Sequence, residues 1–255
     1  MHTITFFATK GGAGRTISTM ALASGFLALG KRVVVMDCTD LAGSNPNGRH
    51  PSTLQNWMRQ MAASKVQQPL LELIECWTCE QVQDSLAAAE ARGIDVVLID
   101  TKARLAEPQL SAVGLADLII APANGPFEAK STVKGISDHL GTPEHLLGLV
   151  AGCRSGKAES AETRAAFDYY PVLQSELPWA EALSDQMING DIADHVSVLA
   201  RKPDESGYAR FREAQAAWVA VQRLTFEVQW ALRGQRLETF VGEKSPYACK
   251  RKAVA

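Results

Sequence analysis

Residues 10–16, Lys10-Gly11-Gly12-Ala13-Gly14-Arg15-Thr16, follow an apolar, β-branched run, Thr3-Ile4-Thr5-Phe6-Phe7-Ala8. They lead into a stretch with helical spacing of Met20, Leu22, Ala23, Phe26 and Leu27. A glycine-rich turn between a strand and a helix is the physical recipe for a phosphate cradle. Glycines let backbone N–H groups converge on one point, and the helix N-terminus adds partial positive charge there. The usual loop of this kind ends in Gly-Lys-Ser/Thr. Here it ends Gly14-Arg15-Thr16, and a second cation, Lys10, opens it.

Two acids stand where such a loop needs them. Asp37 closes the run Arg32-Val33-Val34-Val35-Met36, and Asp100 closes Val96-Val97-Leu98-Ile99. Ligands of parallel α/β sheets bind beyond the carboxyl ends of the strands. An Asp after four apolar residues is placed to hold a magnesium ion, usually through water, and Thr16 offers a hydroxyl to the same ion. Singly, an Asp at a strand end often only caps the next helix. The loop and both acids in this chain order point to a nucleoside triphosphate.

Outward from the loop, strand-like runs near 2–8, 32–37, 70–75, 94–100, 117–121, 146–152 and 171–176 alternate with helical patterns near 15–29, 52–63, 79–92, 107–115, 127–140, 159–168 and 179–189. Several strands are unbroken apolar runs, the mark of strands buried on both faces. The expected fold class is α/β, a mostly parallel central sheet flanked by helices. After Pro203 one long helix is expected over 205–232, with Phe211, Ala214, Trp218, Val221, Leu224, Val228 and Leu232 on one stripe. Residues 1–200 read as the nucleotide-binding domain, 201–233 as a helix packed on it, and 234–255 as a basic, loose tail with Lys250-Arg251-Lys252.

The chain has 255 residues, 46% hydrophobic and 21% charged, which suits a packed core. From Arg201 onward 11 Lys and Arg face 6 Asp and Glu, a surplus of +5 that, against a net charge of −2, leaves −7 on residues 1–200. The basic third suits an acidic partner such as nucleic acid, or is only a solvated helix with a basic tail. No signal peptide and no membrane-length apolar run is visible. The odd set of cysteines, at 38, 76, 79, 153 and 249, has no framework spacing, so a reduced, cytoplasmic location is expected.

The motif Lys-Gly-Gly-x-Gly-[Lys/Arg]-Thr resembles the deviant Walker A box of the ParA/MinD family of partitioning and positioning ATPases. The resemblance extends to Met36-Asp37, Leu98-Ile99-Asp100-Thr101 and Asp117-Leu118-Ile119-Ile120-Ala121-Pro122, over roughly residues 1–200. Within the family the chain is most similar to the VirC-type branch, linked to plasmid maintenance and DNA transfer. The resemblance implies a P-loop NTPase fold of the SIMIBI type, with ATP and Mg2+ as ligands. It implies that Lys10 and Asp37 are catalytic, that Lys10, Gly11, Gly12, Ala13, Gly14, Arg15, Thr16 and Ile17 hold the nucleotide, and that Thr16, Asp37 and Asp100 serve the metal. Arg154 and Pro178, after late strands, fall where the family holds adenine. It implies a face-to-face homodimer with ATP in which Lys10 reaches the partner's phosphates, non-specific DNA binding, and a ParB-like or relaxosome partner that stimulates turnover on the nucleoid. Arg210, Arg212, Arg233 and Arg236 are the candidate DNA contacts. No membrane association is implied.

Three departures bear on the chemistry. Arg15 replaces a lysine, exchanging a compact point charge for a planar fork. Thr39 stands at the second acidic position of an Asp-x-Asp segment, with Asp40 one residue further on. Ile17 replaces a second hydroxyl. Slow or partner-dependent hydrolysis is expected; the other reading is a hydrolysis-deficient scaffold held in one nucleotide state. A metabolic P-loop kinase ranks last, because no second substrate pocket can be read. Cys76-Trp77-Thr78-Cys79 has the spacing of a redox pair or half a metal site, or is two ordinary thiols at a strand–helix join. The histidines at 2, 50, 139, 145 and 195 show no ligand spacing and are read as structural.

Overall fold

A computed structural model of the chain describes residues 1–39, 51–63, 70–103, 107–141, 143, 145–153, 157–168, 170–201 and 205–234. The elements run β1 (His2–Phe6), α1 (Arg15–Ala28), β2 (Val33–Cys38), α2 (Thr53–Ala63), β3 (Leu71–Glu75), α3 (Cys79–Ala91), β4 (Val96–Thr101), α4 (Glu107–Gly114), β5 (Leu118–Ala123), α5 (Pro126–Leu140), β6 (Leu146–Val150), α6 (Lys157–Ala165), α7 (Glu181–Ser184), α8 (Gln186–Asn189), α9 (Ile192–Leu199) and α10 (Glu205–Leu232). The six strands form one parallel sheet in the order β3-β2-β4-β1-β5-β6.

The apolar runs explain the layering. Every residue of β2, β4, β5 and β6 is buried, as befits strands covered by helices on both faces. Edge strand β3 is only half-buried, and its Glu72 pairs with Arg92 at 2.7 Å. The register aligns the site: Phe6 lies opposite Asp100, and Asp37 lies opposite Asp100 on the other side of β4. The glycine loop and both acids therefore meet at the carboxyl ends of the central strands.

The long C-terminal helix packs into the main core. Ala214, Ala217, Val221, Leu224 and Val228 are buried in the same cluster as Ile4, Phe26 and Leu98. The expected stripe is right along its middle, while Phe211 at its start is half-buried. Two expectations fail. Residues 171–176 do not make a strand: only two isolated bridges, Gly148 with Val172 and Ala151 with Leu177, tie that segment to β6. Five residues separate its bridge positions and three separate those of β6, so a continuous ladder cannot form. Residues 179–189 make two single turns, α7 and α8, rather than one helix, and α9 follows as a further element. Asp191 caps α9 through the Ala193 amide at 2.7 Å.

Candidate nucleotide site

The loop between β1 and α1 has the conformation a phosphate cradle requires. Gly14 is the N-cap of α1 at φ 92° and Gly12 sits at φ 80°, both left-handed values that side chains disfavour. A Cβ on Gly11 or Gly12 would meet nothing within 4 Å, so the space over the loop is open. No side chain caps α1, and its first turn holds no acid. The contrast with α3 is instructive: Thr78 and Gln81 form a capping box there and Glu80 lies in the first turn. The start of α3 is closed by its own residues, whereas no described side chain closes the start of α1, whose first-turn N–H groups suit an incoming anion.

Thr16 and Asp100 are brought together. The Thr16 hydroxyl donates to Asp100 Oδ2 at 2.6 Å. Asp100 is fully buried, and its other oxygen, Oδ1, has no hydrogen-bond partner among the described residues. Burial pushes the Asp100 carboxyl up to about 7, against the pull of the Thr16 hydrogen bond and the Arg15 charge. A buried carboxylate oxygen left without a donor, beside a threonine hydroxyl, is an oxygen-rich position that suits a hard dication such as Mg2+.

Asp37 is placed differently. It is buried opposite Asp100, but both its oxygens are already used. The Thr39 amide and hydroxyl donate to Oδ1 at 3.0 and 2.5 Å, and the Ser52 hydroxyl donates to Oδ2 at 2.6 Å. Thr39 thus holds Asp37 in place. Asp40 lies outside the described residues.

Arg15 turns back under the loop, and its guanidinium donates to the Ala8 carbonyl at 3.0 Å. Burial lowers its affinity for its proton, and the charge of Asp100 opposes that. The Lys10 ammonium rests over the Phe127 ring, 3.6 Å from its centroid. Phe127 and two further residues of the β5–α5 side brace the loop: Asn124 donates to the Gly12 carbonyl at 2.9 Å, and the Thr9 and Ser131 hydroxyls share a hydrogen bond at 3.0 Å. None of these three was singled out in the sequence. The only signal was their place just after a strand on the loop's side of the sheet.

Beside the loop a cleft is lined by Gly12, Gly14, Ile17, Ala151, Leu177 and Pro178, with Trp179 at its edge. Pro178 therefore sits beside the loop, while Arg154 lies outside the described residues. The candidate DNA residues are not gathered in one patch. Arg210 and Arg212 are exposed on α10, Arg233 is exposed in the turn just after it, and Arg236 lies outside the described residues. At 100° per residue Arg212 and exposed Arg223 share the outer face within about 20°, whereas Arg210 points roughly 160° away. Arg233 borders a cavity with His2, Lys31 and Asp95, where β1 and β4 begin, at the end of the sheet opposite the loop.

Cys76 and Cys79 stand at the join of β3 and α3. Cys76 is buried and hydrogen-bonds Ser85 at 3.6 Å, while Thr78 caps α3. The Cys38 thiol, hydrogen-bonded to Cys76 and buried, is pushed well up. Among the described residues no group of three or more His, Cys, Asp or Glu could hold a metal ion, and no helix is long and apolar enough to cross a membrane.

Comparison with known proteins agrees with this geometry. Protein virC1 of Rhizobium radiobacter is 26% identical over 122 residues, which is 48% of this chain and 48% of that protein. The match thus spans about half the length of that relative. The septum site-determining protein MinD of Pyrococcus horikoshii, complexed with Mg-ADP, superposes over 91% of this chain and 98% of its own, with 17% identity and a TM-score of 0.55. A ParA family ATPase from Chlorobium tepidum superposes over 86% and 98%, with 14% identity and a TM-score of 0.52. These likenesses establish a MinD/ParA-type P-loop fold. A family model described as VirC1 protein matches residues 1–137, and the chain accordingly belongs to the VirC1 family.

Proposed function

We propose that this chain is a ParA-like switch that binds ATP with Mg2+ in the 10–16 loop and hydrolyses it slowly or on demand of a partner. The observation that carries the reading is the orphaned, buried Asp100 Oδ1 beside the Thr16 hydroxyl, at the foot of an uncapped, acid-free helix N-terminus. Backbone amides of Gly11 to Thr16 take the phosphates, Thr16 and Asp100 hold the magnesium side, and Ile17 and Pro178 line the base-side cleft. Bound Mg2+ supplies charge neutralisation across the terminal phosphates. Asp37, fixed by Thr39 and Ser52, orients water at the metal. The Mg-ADP bound to the MinD of similar fold supports nucleotide and metal as ligands.

In this reading two ATP-bound copies pair face to face and Lys10 leaves Phe127 for the partner's phosphates. The pair associates with DNA non-specifically through α10, in plasmid or chromosome partition or in DNA transfer, in the cytoplasm on the nucleoid. A ParB-like or relaxosome protein releases it. Residues 1–200 serve as the ATPase domain, 201–233 as its packed helix and 234–255 as a basic tail. Similarity to a virC1 protein supports the transfer branch of the reading.

A second reading, a scaffold fixed in one nucleotide state, is favoured by two hydrogen bonds. Arg15 donates to the Ala8 carbonyl and the Thr39 hydroxyl to Asp37, so both side chains are held by the fold itself. Calorimetric titration of ATP, with and without Mg2+, tests the shared core of both readings. Heat of binding that depends on Mg2+ is expected, and its loss in Asp100→Asn and Thr16→Ala. No heat with the wild-type chain sinks both. DNA affinity measured with ATP and with ADP then separates them, because a switch changes affinity between states and a scaffold does not.

A further inference from the structure

Glu227 is a carboxylate with no exposed surface, set on the apolar stripe of α10 between Leu224 and Val228. Such a position in a helix–core contact is filled at lower cost by an apolar side chain, since a buried charge must be repaid by hydrogen bonds. Its two oxygens take two consecutive backbone amides on another element: Gln174 N–H donates to Oε1 at 2.5 Å and Ser175 N–H to Oε2 at 2.7 Å.

Those amides are the ones the sheet cannot use. The segment 172–177 advances five residues between its bridges to β6, while β6 advances three, from Gly148 to Ala151. The ladder is kept at both ends: Leu173 N–H donates to the Gly148 carbonyl, and Leu177 N–H to the Val150 carbonyl. Gln174 and Ser175 are the slack between. Immediately past the slack, Leu177, Pro178 and Trp179 line the cleft beside Gly12, Gly14 and Ile17. Two residues before Glu227, Thr225 sits against Gly25 of α1, the helix that carries the phosphate loop at its start. One stretch of α10 thus contacts both α1 and the segment that leads into the cleft wall.

We propose that Glu227 is a positioning residue for nucleoside recognition: by taking up the slack at Gln174 and Ser175 it fixes the Leu177–Trp179 wall against the phosphate loop. This rests on the nucleotide reading above and adds to it a division of labour. Phosphate binding belongs to the loop and is indifferent to Glu227, while the base and ribose side depends on it. Because binding linkage is reciprocal, occupancy of the cleft in turn stiffens α10.

The test compares two ligands on the full chain by calorimetry, Mg-ATP and Mg-tripolyphosphate, the second having the phosphates without the nucleoside. In Glu227→Gln one acceptor becomes a donor facing an amide, so ATP affinity is expected to fall roughly tenfold. Tripolyphosphate affinity is expected to stay within about twofold of wild type, as for an uncoupled site. ATP and tripolyphosphate weakening in parallel, or neither changing, overturns the proposal. A thermal melt of each variant checks folding. Should Glu227→Gln not fold, Glu176→Ala decides. Glu176 anchors the same segment through Ser160 at 2.6 Å and Arg164 at 2.8 Å, from a partly exposed position. Its removal is expected to give a smaller loss confined to ATP, and a loss shared by both ligands or by neither overturns the inference. Wild-type chain that binds neither ligand overturns the nucleotide reading itself.

Discussion

At the scale of single residues, Asp100 joins the chemistry to the stability of the fold. Its carboxyl sits at about 7 in the fold against an ordinary 3.8, chiefly through burial. The folded state therefore favours the protonated form. The stability this group contributes is fully present below pH 3.8 and is lost as pH rises through about 7. In metal-free protein the melting temperature of wild type is expected to fall relative to Asp100→Asn between pH 5 and pH 8. Parallel melting curves across that range would contradict the burial argument. Arg15 raises a different question, that of geometry. Its guanidinium is engaged with the Ala8 carbonyl, whereas a lysine ammonium is a compact charge free to sit among phosphate oxygens. Arg15→Lys is expected to raise steady-state ATP turnover on the order of tenfold, equivalent to one modest hydrogen bond in the transition state. Unchanged turnover assigns the limitation to Thr39, whose hydroxyl is spent on Asp37. The pairing of Thr16 with Asp100 was legible in the sequence because each lies at the end of a regular element, Thr16 in the first turn of α1 and Asp100 near the close of β4. Asn124, Ser131 and Glu227 were not, because their partners are backbone or side-chain groups 50 or more residues away, and no local spacing announces such a contact.

At the scale of elements, the contact between α1 and α10 decides how the C-terminal helix is seated. A Cβ on Gly25 would lie 1.8 Å from Thr225 Oγ1 and 2.9 Å from Thr225 Cβ, distances real contacts do not reach. Gly→Ala inside a helix ordinarily gains about 0.5–1 kcal/mol. Forcing two packed helices apart costs about 1–3 kcal/mol. The clash wins, so Gly25→Ala is expected to lower the melting temperature, and Thr225→Ala in the same chain to recover part of it. Gly114→Ala is the control, since a Cβ there meets open space and the melting temperature should hold or rise. The buried strands were legible because an unbroken run of four or five apolar residues rich in valine and isoleucine suits a strand covered on both faces. The 171–176 run misled for a physical reason. Val172 and Leu173 are apolar and lie beside β6, but the two surplus residues after them break the ladder, and a helix supplies the missing acceptors. Helix α9 went unread because Ile192–Leu199 is short, and its start is signalled only by the Asp191 cap.

At the scale of the whole molecule, charge and position can be set against each other. The exposed arginines of α10 lie on a helix about 40 Å long, so a duplex laid along it would meet those that share a face. Arg212 and Arg223 do, and both point away from the stripe of Ala214, Val221 and Val228 that packs on the core. Arg210 and Arg233 lie on other bearings near the two ends of the helix and do not join them. The proposed DNA association therefore assigns the larger part of the phosphate contacts to Arg212 and Arg223. A plot of log affinity against log salt for non-specific duplex DNA, in the presence of ATP and Mg2+, is expected to lose about one unit of slope for each of Arg212→Gln and Arg223→Gln. Arg210→Gln should leave the slope nearly unchanged. ATP affinity should be the same in all three variants, since none of these residues lines the cleft beside the 10–16 loop. Equal losses at Arg210 and Arg212 would mean that the duplex does not follow the outer face of α10. No salt-dependent binding at all would remove DNA from the reading and leave the nucleotide switch standing without it.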